Sequence, residues 1–284
     1  MIPHCRCDLI ELLENIAKAV SFHCGVILLS EDAGYTKKFI ETTDHPDHFS
    51  IVTAPYDTPW IRDRSPVAVK CGNNIRWLNP IVEKMGRPND DVLFKLISAS
   101  NNDCVPLGVL PQGNMVAGQG GLMLVTLDIL KANHLTYKNL KQYNQNLGVS
   151  NWLVFTGFAK ETTGHADVHV RVLAKHLYAV AWNQSVKQDR QRMQRLIEML
   201  LRHDEKAEII KIPIRSRGHK YASLVNWIQL GKNIIVPQFD ETPRSDREQT
   251  KKLLNEHGFE VEFIYSPTSH LGGSLHCLTA SIFV

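Results

Sequence analysis

The chain has 284 residues, of which 43% are hydrophobic and 21% are charged. This composition is typical of a globular protein with a sizeable core, and it excludes collagen-like, coiled-coil and disordered chains. The formal net charge is +3, from 32 basic and 29 acidic residues that form no long run of one sign. We therefore expect no nucleic-acid partner.

The N-terminal segment has no feature of a membrane anchor or an export signal. Asp8, Glu11 and Glu14 interrupt its apolar pattern, and no apolar stretch approaches the roughly 18 residues that cross a bilayer. We expect a cytoplasmic protein without a membrane partner. Six cysteines at irregular intervals are then expected to be free thiols.

Apolar periodicity predicts alternating helices and strands along the chain. Helices are predicted over 8–20, 34–42, 136–147, 186–203 (the longest) and 244–257. Strands are predicted over 24–30, 49–54, 66–70, 75–78, 104–110, 114–118, 121–126, 152–157, 168–173, 176–182, 207–213, 233–237 and 260–265, with a last apolar segment after Gly273. Glycine-containing turns at 71–74 and 118–121 indicate hairpins.

Hairpins and helices recur at intervals of roughly 50–60 residues, and no Pro- or Ser-rich linker divides the chain. The pattern favours one α/β domain over residues 1–284 with internal pseudo-repetition, although no repeat is visible in the sequence itself.

The first segment with chemical potential runs from 55 to 66 and contains three prolines, Trp60 and an Arg–Asp pair. Prolines exclude the interior of a helix or strand. The segment is either a surface loop or a loop that delivers Asp63 to a site.

The second segment, 163–171, contains His165, Asp167, His169 and Arg171 at alternate positions. At strand period these four side chains share one face, which is either exposed to solvent or lines a site. The H-x-D-x-H spacing resembles a metal ladder. Because Arg171 shares the face and no further ligand is evident, we expect no metal.

The third segment, 271–279, places two glycines shortly before His276 and Cys277. Glycines let a backbone approach a ligand closely. Cys277 is either an inert core residue or the best nucleophile candidate of the six cysteines.

Together, W-x-R-D-x-x-P (60–66), G-H-x-D (164–167) and G-G-x-x-H-C (272–277) resemble the agmatine deiminase and bacterial-type peptidylarginine deiminase family. The Q-G-N segment at 112–114 with the glycine hairpin after it, and the stretch from Asn226 to Phe239, are also similar to that family. The resemblance covers residues from about 10 to 282. It implies a pentein fold, in which five ββαβ-like units form a pseudo-fivefold propeller.

The resemblance also implies roles for individual residues. Asp63 and Asp167 would bind a guanidinium group, Cys277 would attack its central carbon, and His165 would transfer protons. The substrate contacts implied are Trp60, Gln112, Arg171 and Gly273. The expected reaction converts a small guanidine, agmatine first, to its ureido product (N-carbamoylputrescine) and ammonia through a thiouronium on Cys277, without metal or cofactor. A homodimer is possible.

Two departures from the family pattern affect this interpretation. Gln112 stands where the family has a glutamate that orients the histidine, which suggests a slower enzyme, another substrate or a changed pH optimum. The chain also begins almost at the first helix, without the usual N-terminal extension, which suggests a more open pocket. The alternatives are an amidinotransferase, an arginine-type dihydrolase, or a guanidine-binding protein without catalysis.

Overall fold

The structure is a computed structural model that describes residues 3–71, 74–80, 88–99, 103–108, 111–143, 147–218 and 220–282. The helices of these segments are α1 (Pro3–Ser21), α2 (Ala33–Glu41), α3 (Val92–Ala99), α4 (Asp128–Ala132), α5 (Lys187–His203) and α6 (Arg244–Glu256). Among the described residues, no helix combines the length and apolarity needed to cross a bilayer.

The strands alternate with these helices along the chain. They are β1 (Val26–Ser30), β2 (Phe49–Thr53), β3 (Val67–Cys71), β4 (Asn74–Pro80), β5 (Asp103–Gly108), β6 (Val116–Ala117), β7 (Leu122–Thr126), β8 (Asn151–Phe155), β9 (Val170–Ala174), β10 (Leu177–Trp182), β11 (Glu208–Pro213), β12 (Arg215–Arg217), β13 (Lys220–Ala222), β14 (Ile228–Leu230), β15 (Asn233–Gln238) and β16 (Glu260–Tyr265). The mixed α/β class predicted from the sequence is confirmed.

Four three-stranded sheets share one topology, in the orders β3-β4-β5, β6-β7-β8, β9-β10-β11 and β14-β15-β16. In each sheet the first two strands are antiparallel, and the third returns parallel to the second. The parallel return requires a crossover, which α3, α4, α5 and α6 provide. A fifth sheet pairs β1 and β2 in parallel around α2. The described chain therefore contains four ββαβ units and one βαβ unit.

The largest core cluster forms where α5 packs on β8 and β10. Met193, Leu196, Ile197 and Leu200 are all buried, and their spacing places them on one face of α5. Residues 177–182 of β10 read as a nearly continuous apolar run, as expected for a central strand covered on both faces.

Several sequence predictions differ from the structure. The helix predicted over 136–147 is a 3₁₀ segment, Tyr137–Tyr143. Among the described side chains over 137–142, Leu140 alone is fully buried, and one buried residue cannot form an apolar stripe; residues 144–146 lie outside the described residues. The longest described helix is α1, with 19 residues against 17 for α5. Helix α3 was not predicted, and the segment after Gly273 forms turns. Residues 72–73 of the first hairpin turn and 109–110 of a predicted strand lie outside the described residues.

A buried ion pair holds the loop that precedes β3. Arg64 Nη1 lies 2.7 Å from Asp90 Oδ2, and both side chains are almost fully buried. Asp90 also accepts hydrogen bonds from the Asp57 N–H at 2.6 Å, the Thr58 N–H at 3.0 Å and the Thr58 hydroxyl at 2.8 Å. One carboxylate therefore fixes both ends of the loop that carries Trp60 and Asp63.

We expect Asp90→Ala to lower the free energy of unfolding by about 3–5 kcal/mol, because it leaves the Arg64 charge buried without its carboxylate. Urea unfolding monitored by circular dichroism measures the change. The matched control is Glu248→Ala, which breaks the exposed Arg244–Glu248 pair and should cost less than about 1 kcal/mol. Equal losses in the two variants would contradict the anchoring role of Asp90.

Candidate active site

Three short 3₁₀ turns bring polar side chains together at the ends of strands. The turns are Ile61–Asp63, Gln112–Asn114 and Ala166–Val168, and the second turn contacts both of the others. A fourth segment, which follows Gly272 at φ +79°, carries Cys277. The four predicted chemical residues, Asp63, His165, Asp167 and Cys277, come from three different segments of this group.

His165 and Asp63 face each other across the chain at Gly113. Asp63 Oδ1 lies 3.3 Å from His165 Nδ1, and the two side chains are 14% and 12% exposed. A Cβ added at Gly113 would lie 2.7 Å from His165 Nδ1, 3.3 Å from Asp63 Oδ1 and 3.4 Å from Asp167 Oδ2. The missing side chain of Gly113 is therefore what lets these three groups converge.

Asp167 is completely buried beside a second histidine, His276. The distance between Asp167 Oδ2 and His276 Nδ1 is 2.6 Å. Burial raises the pKa of Asp167 to about 6, against the opposing effect of His165, Arg171 and Arg62. Burial, with the same two arginines, also lowers the pKa of His276 well below its ordinary value. His276 is therefore neutral and donates its Nδ1–H to the carboxylate.

Two carboxylate oxygens of the site have no hydrogen-bond donor among the described residues. They are Asp63 Oδ1 and Asp167 Oδ1, and both are buried. The contact between Asp63 Oδ1 and His165 Nδ1 falls outside hydrogen-bond geometry. An unsatisfied buried acceptor costs about 1–3 kcal/mol, and more when it is charged. The pair is arranged to receive a ligand that is rich in N–H donors and carries positive charge.

Cys277 lies against the same carboxylate, and its side chain is buried. Its Sγ is 3.7 Å from Asp167 Oδ2 and 3.3 Å from the Asn226 side-chain nitrogen. Burial raises the pKa of the thiol well above its ordinary value, and the charges of Asp167 and Asp63 raise it further. Hydrogen bonds from Ser274 and Asn226 act in the opposite direction. The thiol is consequently protonated while the site holds no cation.

Asn226 fixes the loop that carries the thiol. Its side-chain oxygen accepts a hydrogen bond from the Ser274 N–H at 3.0 Å, and its carbonyl accepts one from the His276 N–H at 3.1 Å. The next residue, Trp227, is completely buried in the largest core cluster. Asn226 therefore connects the Cys277 loop to the rigid core.

Gly273 brings an aromatic ring next to the thiol. A Cβ at this position would lie 2.8 Å from the Trp60 ring, 3.1 Å from Cys277 Cβ and 3.2 Å from Cys277 Sγ. The indole therefore provides a flat apolar surface close to the nucleophile candidate.

Gln112, implied by the resemblance as a substrate contact, contacts Arg62 and not the histidine that the family's glutamate orients. Arg62 Nη1 donates to Gln112 Oε1 at 3.0 Å, while Arg62 Nε donates to the His276 carbonyl at 3.1 Å. A guanidinium is a charged donor and binds an amide oxygen more strongly than a neutral imidazole does. The neighbour of His165 in this structure is Asp63.

The prediction that His165, Asp167, His169 and Arg171 share one strand face is wrong. Gly164 has φ +66°, and the turn Ala166–Val168 breaks the alternation before β9 begins. Asp167 therefore faces Cys277, whereas His169 is buried next to Phe158. Arg171 remains close enough to help stabilise the charge of Asp167, and burial lowers its own pKa to about 10.

Three residues of the site were not predicted from the sequence: Arg62, Asn226 and His276. Arg62 and His276 directly precede Asp63 and Cys277 in the chain, so adjacency to a candidate residue was the available signal. Asp63 and Cys277 lie among the chemical groups of the site, whereas Arg62 and His276 support them: Arg62 donates to the His276 carbonyl, and His276 contacts the Asp167 carboxylate. Asn226 begins a stretch that resembles the family, but that resemblance gave it no role, and its contacts join positions 51 residues apart in the chain.

A cleft borders the Cys277 loop, lined in part by Glu161, Tyr221, Asn226 and Gly273. The Glu161 carboxylate accepts hydrogen bonds from the N–H and the hydroxyl of Thr163 and from the Gly164 N–H. These bonds hold a negative charge at the edge of the cleft.

Comparison with known proteins gives one family and a set of similar folds. The model of the Porphyromonas-type peptidyl-arginine deiminase family matches residues 6–282. No curated protein sequence matches the chain.

Among solved structures, C. jejuni agmatine deiminase is 17% identical, with a TM-score of 0.81 over 95% of this chain and 85% of that one. Agmatine deiminase of Enterococcus faecalis is 18% identical, with a TM-score of 0.78 over 95% and 86% of the two chains. A cyanobacterial arginine dihydrolase is 15% identical, with a TM-score of 0.56 over 90% of this chain and 38% of that one. At these identities the likeness concerns the fold.

The raised pKa of Asp167 predicts the effect of removing its charge on stability. A carboxyl pKa raised from 3.8 to about 6 in the folded state corresponds to on the order of 3 kcal/mol lost at neutral pH. We expect Asp167→Asn to increase the free energy of unfolding at pH 7 by an amount of that order. The gain should shrink as the pH falls from about 6 towards 3.8, where the wild-type group is protonated in both states.

The matched control is Asp204→Asn, because the hydrogen bond from His176 lowers the pKa of Asp204. This variant should lose stability. Chemical unfolding at several pH values between 4 and 7 measures both changes. A loss of stability in Asp167→Asn at pH 7 would contradict the claim that burial of the ionised Asp167 carboxylate destabilises the folded protein.

Proposed function

Because the chain belongs to the Porphyromonas-type peptidyl-arginine deiminase family, we propose that it deiminates a small guanidine, with agmatine as the first candidate. The products would be N-carbamoylputrescine and ammonia. The observation that carries this proposal is the pair of buried oxygens without donors, one on Asp63 and one on Asp167, close to a buried thiol.

A guanidinium group fits this pair by charge and by geometry. It is a planar cation with five N–H donors, and it pairs with carboxylates along its edges. In the proposed complex, Asp63 Oδ1 and Asp167 Oδ1 accept these N–H groups. The guanidinium thereby compensates the negative charge of Asp167, which burial disfavours.

The cation also activates the nucleophile. The negative charges of Asp167 and Asp63 help to keep the Cys277 thiol protonated in the empty site. A bound guanidinium neutralises that effect, so the pKa of the thiol falls, and His165 accepts its proton. The Cys277 sulfur then forms a bond to the central guanidinium carbon.

The leaving group departs by the reverse proton transfer. His165 returns the proton to one nitrogen, the C–N bond breaks, and ammonia leaves a thiouronium on Cys277. His165 next takes a proton from water, whose oxygen adds to the same carbon. The C–S bond breaks as the proton of the added hydroxyl passes to the sulfur, which releases the ureido product and restores the thiol, and His165 gives its proton to solvent. Neither half of this cycle calls on a metal or an organic cofactor.

Two features near the Cys277 loop fit the tail of agmatine, and the second distinguishes it from arginine. The Trp60 ring lies next to Gly273 and Cys277, where a methylene chain attached to the guanidinium would pack. Glu161 holds a negative charge at the cleft that borders this loop, which favours an amine at the far end of the substrate and disfavours a carboxylate.

The repeated ββαβ units of the fold support a more specific architecture for the chain. We include in the proposal that the four ββαβ units and the βαβ unit are arranged as the pseudo-fivefold propeller of the penteins. In such an arrangement the strand ends of successive units surround one central site, which accounts for a site built from short turns of separate units.

The test is to incubate the purified protein with agmatine, arginine and other small guanidines, and to assay ammonia and ureido product. We expect both products from the wild type and neither from Cys277→Ser. Putrescine or ornithine in place of a ureido compound would establish a dihydrolase or a transferase instead. No turnover and no covalent adduct on Cys277 with any guanidine would overturn the proposal.

Gly113→Ala tests the convergence of the site groups. Its Cβ would have to occupy space 2.7 Å from His165 Nδ1, and a displacement of about 1 Å in a catalytic group can cost on the order of 100-fold in rate. We expect a loss of kcat of that order. The control is Gly25→Ala, whose Cβ would lie 3.8 Å from its nearest neighbour. Equal activity in the two variants would contradict a site built on Gly113.

A further inference from the structure

His169 is a buried polar side chain that the proposed chemistry does not use. It is completely inaccessible to solvent, and the sequence offered no role for it. Both ring nitrogens nevertheless have a partner. Nδ1 lies 2.7 Å from the main-chain carbonyl oxygen of His165, and Nε2 lies 2.8 Å from the Phe158 main-chain nitrogen.

These two partners determine the protonation state of the ring. The Phe158 N–H can only donate, so Nε2 of His169 must be an acceptor without a proton. The His165 carbonyl can only accept, so Nδ1 must carry the hydrogen. His169 is therefore neutral, with its proton on Nδ1, and burial supports this state by lowering its pKa.

The surroundings hold the ring in one orientation. The His169 ring centroid lies 4.4 Å from that of Phe158 and 5.7 Å from that of Phe155. A Cβ at Gly157 would lie 2.7 Å from His169 Nε2, so only glycine lets the chain pass this close. The imidazole is thus held between two aromatic rings and the backbone.

The ring joins the segment of His165 to the loop after β8. One segment is the turn Ala166–Val168, which His165 precedes directly. The other is the loop after β8, where Arg192 Nη1 also donates to the Gly157 carbonyl and the Asp189 carboxylate accepts the Ala159 N–H. The loop is therefore fixed independently, and with the two aromatic rings it holds His169 where its Nδ1–H reaches the main chain of His165.

We propose that His169 is a positioning residue for His165, acting through the hydrogen bond from its Nδ1–H to the His165 carbonyl. The inference rests on the proposed function, in which His165 moves protons. It predicts that the bond to His165 matters for turnover, whereas the bond to Phe158 matters for stability alone.

Two substitutions separate the two hydrogen bonds. In His169→Asn the amide nitrogen can take the place of Nδ1 and keep the donor to His165, while the acceptor for Phe158 is lost. In His169→Gln the amide oxygen can take the place of Nε2 and keep the acceptor, while the donor to His165 is lost. Each variant loses one buried hydrogen bond, so we expect similar losses of stability.

Turnover should separate the variants. We expect kcat to stay within about threefold of wild type in His169→Asn and to fall at least about tenfold in His169→Gln, with KM within about twofold in both. Equal kcat in the two variants, or a higher kcat in His169→Gln, would overturn the proposal and leave His169 with a packing role.

A second measurement does not depend on activity. In ¹⁵N-histidine NMR spectra, the ring signals of His165 should shift in His169→Gln and keep their positions in His169→Asn. If the wild type turns over no guanidine, the proposed function fails, but these spectra still decide the positioning role. Unshifted signals in both variants, or equal shifts in both, would overturn it.

Discussion

The central constraint of this structure is the close burial of two carboxylates, Asp63 and Asp167, beside the Cys277 thiol. Each of the three groups disfavours negative charge on the others, and burial adds to the effect. A folded chain tolerates such an arrangement when surrounding groups hold it in place. The Arg64–Asp90 pair, the missing side chain at Gly113 and the Asn226 contacts each hold one segment of the site.

Two buried arginines near the site offset the unfavourable burial of the Asp167 carboxylate only in part. Arg62 and Arg171 favour the ionised form of Asp167, yet the pKa of that carboxyl remains raised to about 6. In the proposed reaction a cationic substrate removes this deficit, so the same imbalance that lowers stability would provide affinity and activate the thiol. Gln112 contributes no charge to this balance, because its side chain is a neutral amide; its oxygen accepts a hydrogen bond from Arg62.

The sequence predicted the order of elements more reliably than their local geometry, and the structure brings together the four residues to which the resemblance assigned chemical roles. The apolar run of β10 and the helical spacing of apolar residues in α5 were enough to predict these two elements. The strand face proposed for 165–171 failed because the positive φ of Gly164 and a 3₁₀ turn redirect the chain, and neither follows from polar alternation. The contacts of Asn226 and His169 depend on segments distant in sequence or on close backbone approach, which no local pattern encodes.

The most direct test of this account is a crystal structure of Cys277→Ser soaked with agmatine, since the serine hydroxyl cannot readily form the thiouronium. The account predicts a guanidinium lying between the two carboxylates, with its nitrogens within about 3.2 Å of Asp63 Oδ1 and Asp167 Oδ1, and its central carbon facing Ser at position 277. A guanidinium bound elsewhere, or an empty site at saturating agmatine, would contradict it.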